Sequence, residues 1–245
     1  MEATLAGKSV LVTGANRGLG QALVGEALQR DAQRVYAATR TPYTADDPRV
    51  TPLIVNVTDG AQVRSIAKQV DSLDVLINNA GIAMSDDLSD LAVLEQHLAV
   101  NLIGPWHMSQ AFLPMLTDSS GAIVNILSLA AAVAMPLIPS YSVSKAAALS
   151  LTQSHRALLA SRGVSVHAVL AGPMDTDMTR DFPMAKASTE SVARAIFDAL
   201  QRGDEDIFPD PASATLADSW ESGALKERER ENAALVNPGR TAATG

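Results

Sequence analysis

The sequence predicts an α/β fold, a doubly wound parallel sheet of about seven strands with helices on both faces. Three observations carry that expectation. Short β-rich apolar runs alternate with longer helical patterns along nearly the whole chain. The runs are apolar throughout rather than at every second residue, as strands covered on both faces must be. A cluster of glycines stands where the first run gives way to the first helical pattern, the place where such sheets make their tightest turn.

Ser9-Val-Leu-Val-Thr13 reads as a buried strand and residues 18–30 as the helix after it. Arg34-Val-Tyr-Ala-Ala38 is the second strand, residues 42–48 are a turn-rich loop, and Thr51-Pro-Leu-Ile-Val-Asn56 is the third strand. A helix over 61–70 leads to the strand Asp74-Val-Leu-Ile-Asn78. Residues 91–116 read as one long helix, with Pro105 at a kink or boundary. Ala122-Ile-Val-Asn-Ile-Leu127 is the fifth strand, and the helix over 141–162 ends at Gly163. Val164-Ser-Val-His-Ala-Val169 is the sixth strand. A helix over 188–201 follows, capped by Ser188 or Thr189 with Glu190 near its start. Asp206-Ile-Phe208 adds a last strand. The charged run in 225–231 reads as a solvated helical face, and the small, polar residues 237–245 as a disordered tail. Nothing marks a boundary within 1–236, so a single domain is expected there.

With 47% hydrophobic and 19% charged residues in 245, the chain can bury a full core. Its net charge of -8 offers no basic footprint for nucleic acid. The absence of cysteine excludes disulfides, thiolate metal sites and thiol nucleophiles. The longest apolar stretch, 129–139, is too short to span a bilayer and is broken by Pro136 and Pro139. The first residues show neither the basic nor the apolar region of a secretory signal. A cytoplasmic protein with no membrane or nucleic-acid partner is the expectation.

Thr13-Gly14-Ala-Asn16-Arg17-Gly18-Leu19-Gly20 lies between the first strand and the first helix. In that context glycines let backbone amides approach a pyrophosphate, which then sits at the positive end of the helix. The adenosine ribose of a bound dinucleotide lies at the end of the second strand, where an acid suits NAD and a basic residue suits a 2′-phosphate. Here the pair is Thr39-Arg40, and Arg17 in the glycine loop converges on the same spot. Together they argue for NADP(H).

Tyr141-Ser-Val-Ser-Lys145 places a phenol and an ammonium one helical turn apart on one face. A phenol titrates near ~10 in water, and a nearby ammonium favours its ionised form. Ser128, from another element, can hydrogen-bond the substrate oxygen that Tyr141 protonates. This is a proton donor for carbonyl and alcohol chemistry.

These pieces together resemble the short-chain dehydrogenase/reductase family in its single-domain form, with the Rossmann fold, from about residue 7 to residue 208. The resemblance rests on Thr-Gly-x3-Gly-x-Gly at 13–20, Asn78-Asn79-Ala80-Gly81, Asn101, Ser128 and Tyr141-x3-Lys145. It implies Tyr141 as general acid/base. Lys145 would hold the nicotinamide ribose and lower the Tyr141 pKa, Ser128 would position the substrate oxygen, and Asn101 would support a water in a proton relay. It implies that Asn79, Ala80 and Gly81 lie along the cofactor, and that Gly172 and Thr176 meet its nicotinamide end. A homodimer or homotetramer, paired through the two long helices, is implied as well. The chain departs from the family pattern in Asn56-Val57, where Asp-Val is usual at the adenine, and in Ala171-Gly172, where Pro-Gly is usual.

Met84, Met135, Leu137, Met174, Phe182 and Met184 fall in or near loops at the carboxyl ends of strands, where ligands bind in such sheets. They suggest an apolar substrate pocket, and the short stretch 173–186 suggests an open one. His97, His107, His155 and His167 lack metal-ligand spacing and read as structural; Asp175 and Asp177 lack a third ligand. The leading function is NADPH-dependent reduction of aldehydes or ketones. An oxidative alcohol or sugar dehydrogenase and a non-catalytic dinucleotide sensor remain as alternatives.

Overall fold

The computed structural model describes residues 5–42, 44–176 and 185–236. Its strands are β1 (Ser9–Thr13), β2 (Arg34–Thr39), β3 (Val50–Ile54), β4 (Val75–Asn78), β5 (Ala122–Ile126), β6 (Ser165–Val169) and β7 (Asp206–Ile207). The helices are α1 (Gly18–Gln29), α2 (Gly60–Ala67), α3 (Leu91–Leu98), α4 (Gly104–Asp118), α5 (Pro139–Leu159), α6 (Thr189–Arg202), α7 (Pro211–Ala214), α8 (Ala217–Glu221) and α9 (Ala224–Ala234). The strands form one parallel seven-stranded sheet in the order β3-β2-β1-β4-β5-β6-β7. The order reverses between β1 and β4, which opens a crevice at their carboxyl ends.

The continuous apolar runs are explained by cover on both faces. Val10 and Val12 point to one side with Val35, Ile77, Val124 and Val169, against Leu23 and Val24 of α1 and Ile196 and Phe197 of α6. Leu11 points to the other with Leu76, Ile123 and Val166, against Val63 and Ile66 of α2 and Met108, Phe112 and Leu116 of α4. Burial of each such side chain contributes about 1.5–3 kcal/mol. Helix starts follow local chemistry: Asp59, Asp90 and Ser188 accept first-turn amides of α2, α3 and α6. Ser188, rather than Thr189, is therefore the cap of α6.

The expected long helix over 91–116 is interrupted. Ala99–Ile103 is a π turn, in which Gly104 N–H reaches back to Ala99 O, and Pro105 stands in the first turn of the helix that resumes. The catalytic-motif helix starts earlier than expected, at Pro139, because a proline with no amide to lose suits the first turn.

The charged run over 225–231 is a solvated face at 225, 227, 228, 230 and 231, but Lys226 and Glu229 turn inward. The Lys226 side chain is 1% exposed and lies 2.7 Å from Asp206, 3.1 Å from Glu205 and 3.2 Å from Glu229. Arg156 of α5 pairs with Asp206 at 2.7 Å and also with Glu229. Trp220 Nε1 donates to Asp206 at 2.8 Å. The run covers the end of α5 because carboxylates from β7 and its preceding loop wait beneath it. The tail 237–245 lies outside the described residues.

Candidate active site

The crevice is walled by the loops after β1 and β4. Gly14 and Gly18 adopt positive φ (67° and 52°), and a Cβ on Gly20 would lie 2.1 Å from Gly14 O, so the turn closes only with glycine there. Leu19 and Gly20 are buried beneath the turn, while Asn16 and Arg17 are exposed. Arg17 stands at the N-cap of α1 without a side-chain cap. The N-cap side chain thus accepts no first-turn amide of α1, unlike the caps of α2, α3 and α6, which suits a helix start that receives a phosphate. Gly14 N–H donates to Ala38 O at 2.8 Å, which holds the glycine loop against the end of β2. Thr39 Oγ1 donates to Thr41 O at 2.6 Å and turns the chain at exposed Arg40. Arg17 thus stands at the start of α1 and Arg40 just past the end of β2.

After β4, Asn79 spends its side chain on structure. Its Nδ2 donates to Thr13 O at 2.8 Å, and Asn79 and Ala80 N–H both donate to Thr13 Oγ1. This stitches the lips of the crevice together and commits the Asn79 and Ala80 amides, with the Asn79 side chain, to Thr13. At the adenine end, Asn56 is exposed with its Oδ1 accepting Thr58 N–H at 3.2 Å, and Val57 is buried.

Asn101, in the π turn, is held from both sides. Ile82 N–H donates to its Oδ1, and its Nδ2 donates to Ile82 O and to Ser144 Oγ, each at 2.9 Å. Ser144 Oγ in turn donates to Tyr141 O at 2.7 Å. The Asn101 amide thus couples the loop after β4 to the helix that carries Tyr141, and its side-chain atoms are engaged in doing so.

Tyr141 and Lys145 are both buried. Lys145 Nζ lies 5.6 Å from the Tyr141 ring centroid and donates to Ile126 O at 2.7 Å. Burial pushes its pKa down to about 8. The expected lowering of Tyr141 is not found: burial raises its pKa, and a hydrogen bond with the Ser128 side chain opposes that rise in part. Ser128 accepts Ala130 N–H at 3.1 Å. The strand-end serine, the phenol and the ammonium thus converge from β5 and α5. Desolvation outweighs the Ser128 hydrogen bond, so burial favours the protonated phenol.

Sequence reasoning missed the support of Tyr141. His97 of α3 is fully buried, its ring 6.4 Å edge-on from Tyr141. Met84 N–H donates to its Nε2 at 3.1 Å and its Nδ1 faces Val93 O at 2.8 Å, which fixes a neutral tautomer. Asp86 accepts the Ser140 hydroxyl and, at 3.3 Å, Ser140 N–H, pinning the first turn of α5. The Ser140 hydroxyl first, with its backbone amide, holds the Asp86 carboxyl below its usual range. A histidine two residues before the π turn carries no signal by itself; its role emerges only in three dimensions.

The pocket residues divide. Met84 is half-buried, and Met135 and Leu137 are exposed by 43% and 63% on the loop that enters α5. Met174 instead packs against the core on the α1 face, because the chain turns back beside α6 there. Phe182, Met184 and Asp177 lie outside the described residues. Thr176 sits over the glycine loop, its Cγ2 3.3 Å from where a Gly18 Cβ would be. No cluster of three metal-ligating side chains occurs among the described residues, and no described helix is long and apolar enough to cross a membrane.

A family model described as short chain dehydrogenase matches residues 8–187. The chain is 34% identical over 200 residues to the short chain dehydrogenase pigC of Monascus ruber, covering 73% of this chain and just under two thirds, 66%, of that protein. It is 35% identical over 189 residues to a 3-oxoacyl-(acyl-carrier-protein) reductase, FabG of Staphylococcus aureus, covering 70% and 76%. A solved short chain dehydrogenase from Burkholderia cenocepacia, in complex with NADP, superposes with a TM-score of 0.85 at 36% identity over 93% of this chain and 98% of that one.

Proposed function

The chain belongs to the short-chain dehydrogenase/reductase family, and from that premise we propose that it reduces aldehydes or ketones to alcohols with NADPH, Tyr141 delivering the proton. It is an oxidoreductase of CH–OH and C=O groups. The observation that carries the reading is geometric: Tyr141 is buried beside Ser128, with Lys145 Nζ 5.6 Å from its ring centroid, so one pocket holds a proton donor, a hydroxyl and an ammonium for a carbonyl oxygen.

The chain fits NADPH. The glycine loop and the uncapped start of α1 suit the pyrophosphate, and Arg17 and Arg40 suit a 2′-phosphate. The Burkholderia relative carries NADP, and the Staphylococcus relative is by name a reductase. When bound, the cofactor supplies a hydride to the carbonyl carbon. Ser128 and Tyr141 hydrogen-bond the carbonyl oxygen, and Tyr141 transfers its proton there as the alcohol forms. Lys145 stabilises the phenolate left behind. Asn101 fixes the loop and helix that hold these groups in register.

We extend the proposal to a dimer through α4 and α5. Ile103 of the π turn, Trp106 of α4, and Val143 and Leu158 of α5 are exposed by 41–57%, on or next to the two helices that would pair.

The test measures NADPH consumption with a panel of aldehydes, aryl ketones and keto esters. Tyr141→Phe should cut the rate by about 10²–10⁴-fold. A panel reduced equally well by the variant would sink the proposal.

A further inference from the structure

We infer that Asp210 is a positioning residue for the nicotinamide half of the cofactor, acting through Gly172; this rests on the reading of Gly172 and Thr176 as the nicotinamide side of the site. Beyond the end of β7 the chain reaches Asp210, 5% exposed, at the N-cap of α7. Its carboxylate accepts four donors. Oδ1 takes Ala212 and Ser213 N–H, each at 3.0 Å, and Oδ2 takes Ser213 Oγ at 2.8 Å and Gly172 N–H at 2.7 Å.

The Gly172 bond is the unexpected one. Along β6, Ala168 N–H donates to Glu205 O and Leu170 N–H to Ile207 O. Gly172 N–H is the next donor on that edge, but β7 has already ended at Ile207. The Asp210 side chain supplies the acceptor that a longer strand would have offered from its backbone.

What hangs from Gly172 gives the bond its consequence. Ala171 O accepts Leu129 N–H at 3.0 Å, so the residue after Ser128 is tied to the same peptide run. Ala187 N–H donates to Pro173 O at 3.0 Å and Asp175 N–H to Ala187 O at 2.9 Å, closing a narrow neck at Met174 and Ala187. Thr176 emerges from that neck over Gly18 of the glycine loop. The carboxylate thus sets the height of Thr176 above the cofactor crevice and the approach of the Ser128 loop to it. Nor is there slack: a Cβ on Gly172 would lie 2.6 Å from Asp210 Oδ1.

Asp210→Asn keeps the shape but turns one acceptor oxygen into a donor amide, so one pair of the four donors loses its partner. Ser213→Ala removes a bond to the carboxylate and leaves Gly172 held. The experiment measures binding of NADPH and of 2′,5′-ADP, which lacks the nicotinamide half, alongside thermal melting. Asp210→Asn should weaken NADPH about tenfold or more, leave 2′,5′-ADP within about twofold, and Ser213→Ala should change neither. Equal weakening of both ligands, equal effects of the two variants, or no effect of Asp210→Asn would overturn the inference. If Asp210→Asn does not fold, Gly172→Ala, which drives a methyl against the carboxylate, must show the same selective loss. A wild-type protein that binds neither ligand would instead overturn the cofactor reading, and the inference with it.

Discussion

Helix α5 buries two cations by opposite means. Lys145 lies in its first half with a backbone carbonyl as its hydrogen-bond acceptor, and burial drives its pKa down to about 8. Arg156 lies in its second half. Burial would lower its pKa, but Asp206, Glu229 and Glu205 outweigh burial and raise it. The neighbouring cation Lys226 is also raised, by Asp206 and Glu205, against burial and against Arg156. The fold thus compensates charge where it only needs to hold together, and leaves it uncompensated where a proton must move. An uncompensated buried charge is costly and persists where it has work to do.

The contrast can be broken most directly at the compensated end. Arg156→Met strips Asp206 of its closest guanidinium and should lower the unfolding free energy by about 3–5 kcal/mol, read from urea denaturation, with kcat nearly unchanged on the folded fraction. A loss under about 1 kcal/mol would mean that the cluster is decoration.

Lys145→Met should do the reverse. We expect kcat/KM to fall about 100-fold, close to 2.7 kcal/mol of transition-state stabilisation, with no loss of melting temperature at pH 7. The sign follows from the depressed pKa. A lysine lowered from 10.5 to about 8 opposes folding at neutral pH, and that penalty fades as pH rises through this window. A variant that is both inactive and strongly destabilised would refute the contrast.

The gentlest test is acid. Burial would raise the pKa values of Asp206 and Glu205, but Arg156 and Lys226 lower both. Their stabilisation is therefore present at neutral pH and is lost as pH falls below about 4 through the folded values. Melting temperature should drop in that range, and less steeply in Arg156→Met. Parallel curves would show that the arginine is not what holds those carboxylates ionised.

The sequence made much of this fold legible because its signals are local. The apolar strands, the glycine turn and the Tyr141–Lys145 spacing each lie within a few residues of chain. Lys226 was misread for the opposite reason: Lys-Glu-Arg-Glu-Arg-Glu looks the same facing water or facing Asp206 and Arg156, which are far away in sequence. The raised direction at Tyr141 was not legible because burial, its largest cause, is a property of the packed molecule. Met174 was assigned to a pocket by its place after β6, yet the neck closed with Ala187 turns it to the core. The hold of Asp210 on Gly172 carried no local signal, since the two residues lie 38 positions apart.

The π turn at Ala99–Ile103 has an implication for how this chain tolerates change in length. A π turn is an α-helix carrying one residue more than its repeat requires. Pro105, just after the turn, has no N–H to give to an uninterrupted α-helix and would crowd the carbonyl one turn back, so the break between α3 and α4 also serves the scaffold. The site uses the same surplus residue, since the turn sets Asn101 against Ile82 and Ser144. The length of this helix is therefore written by chemistry and by packing together.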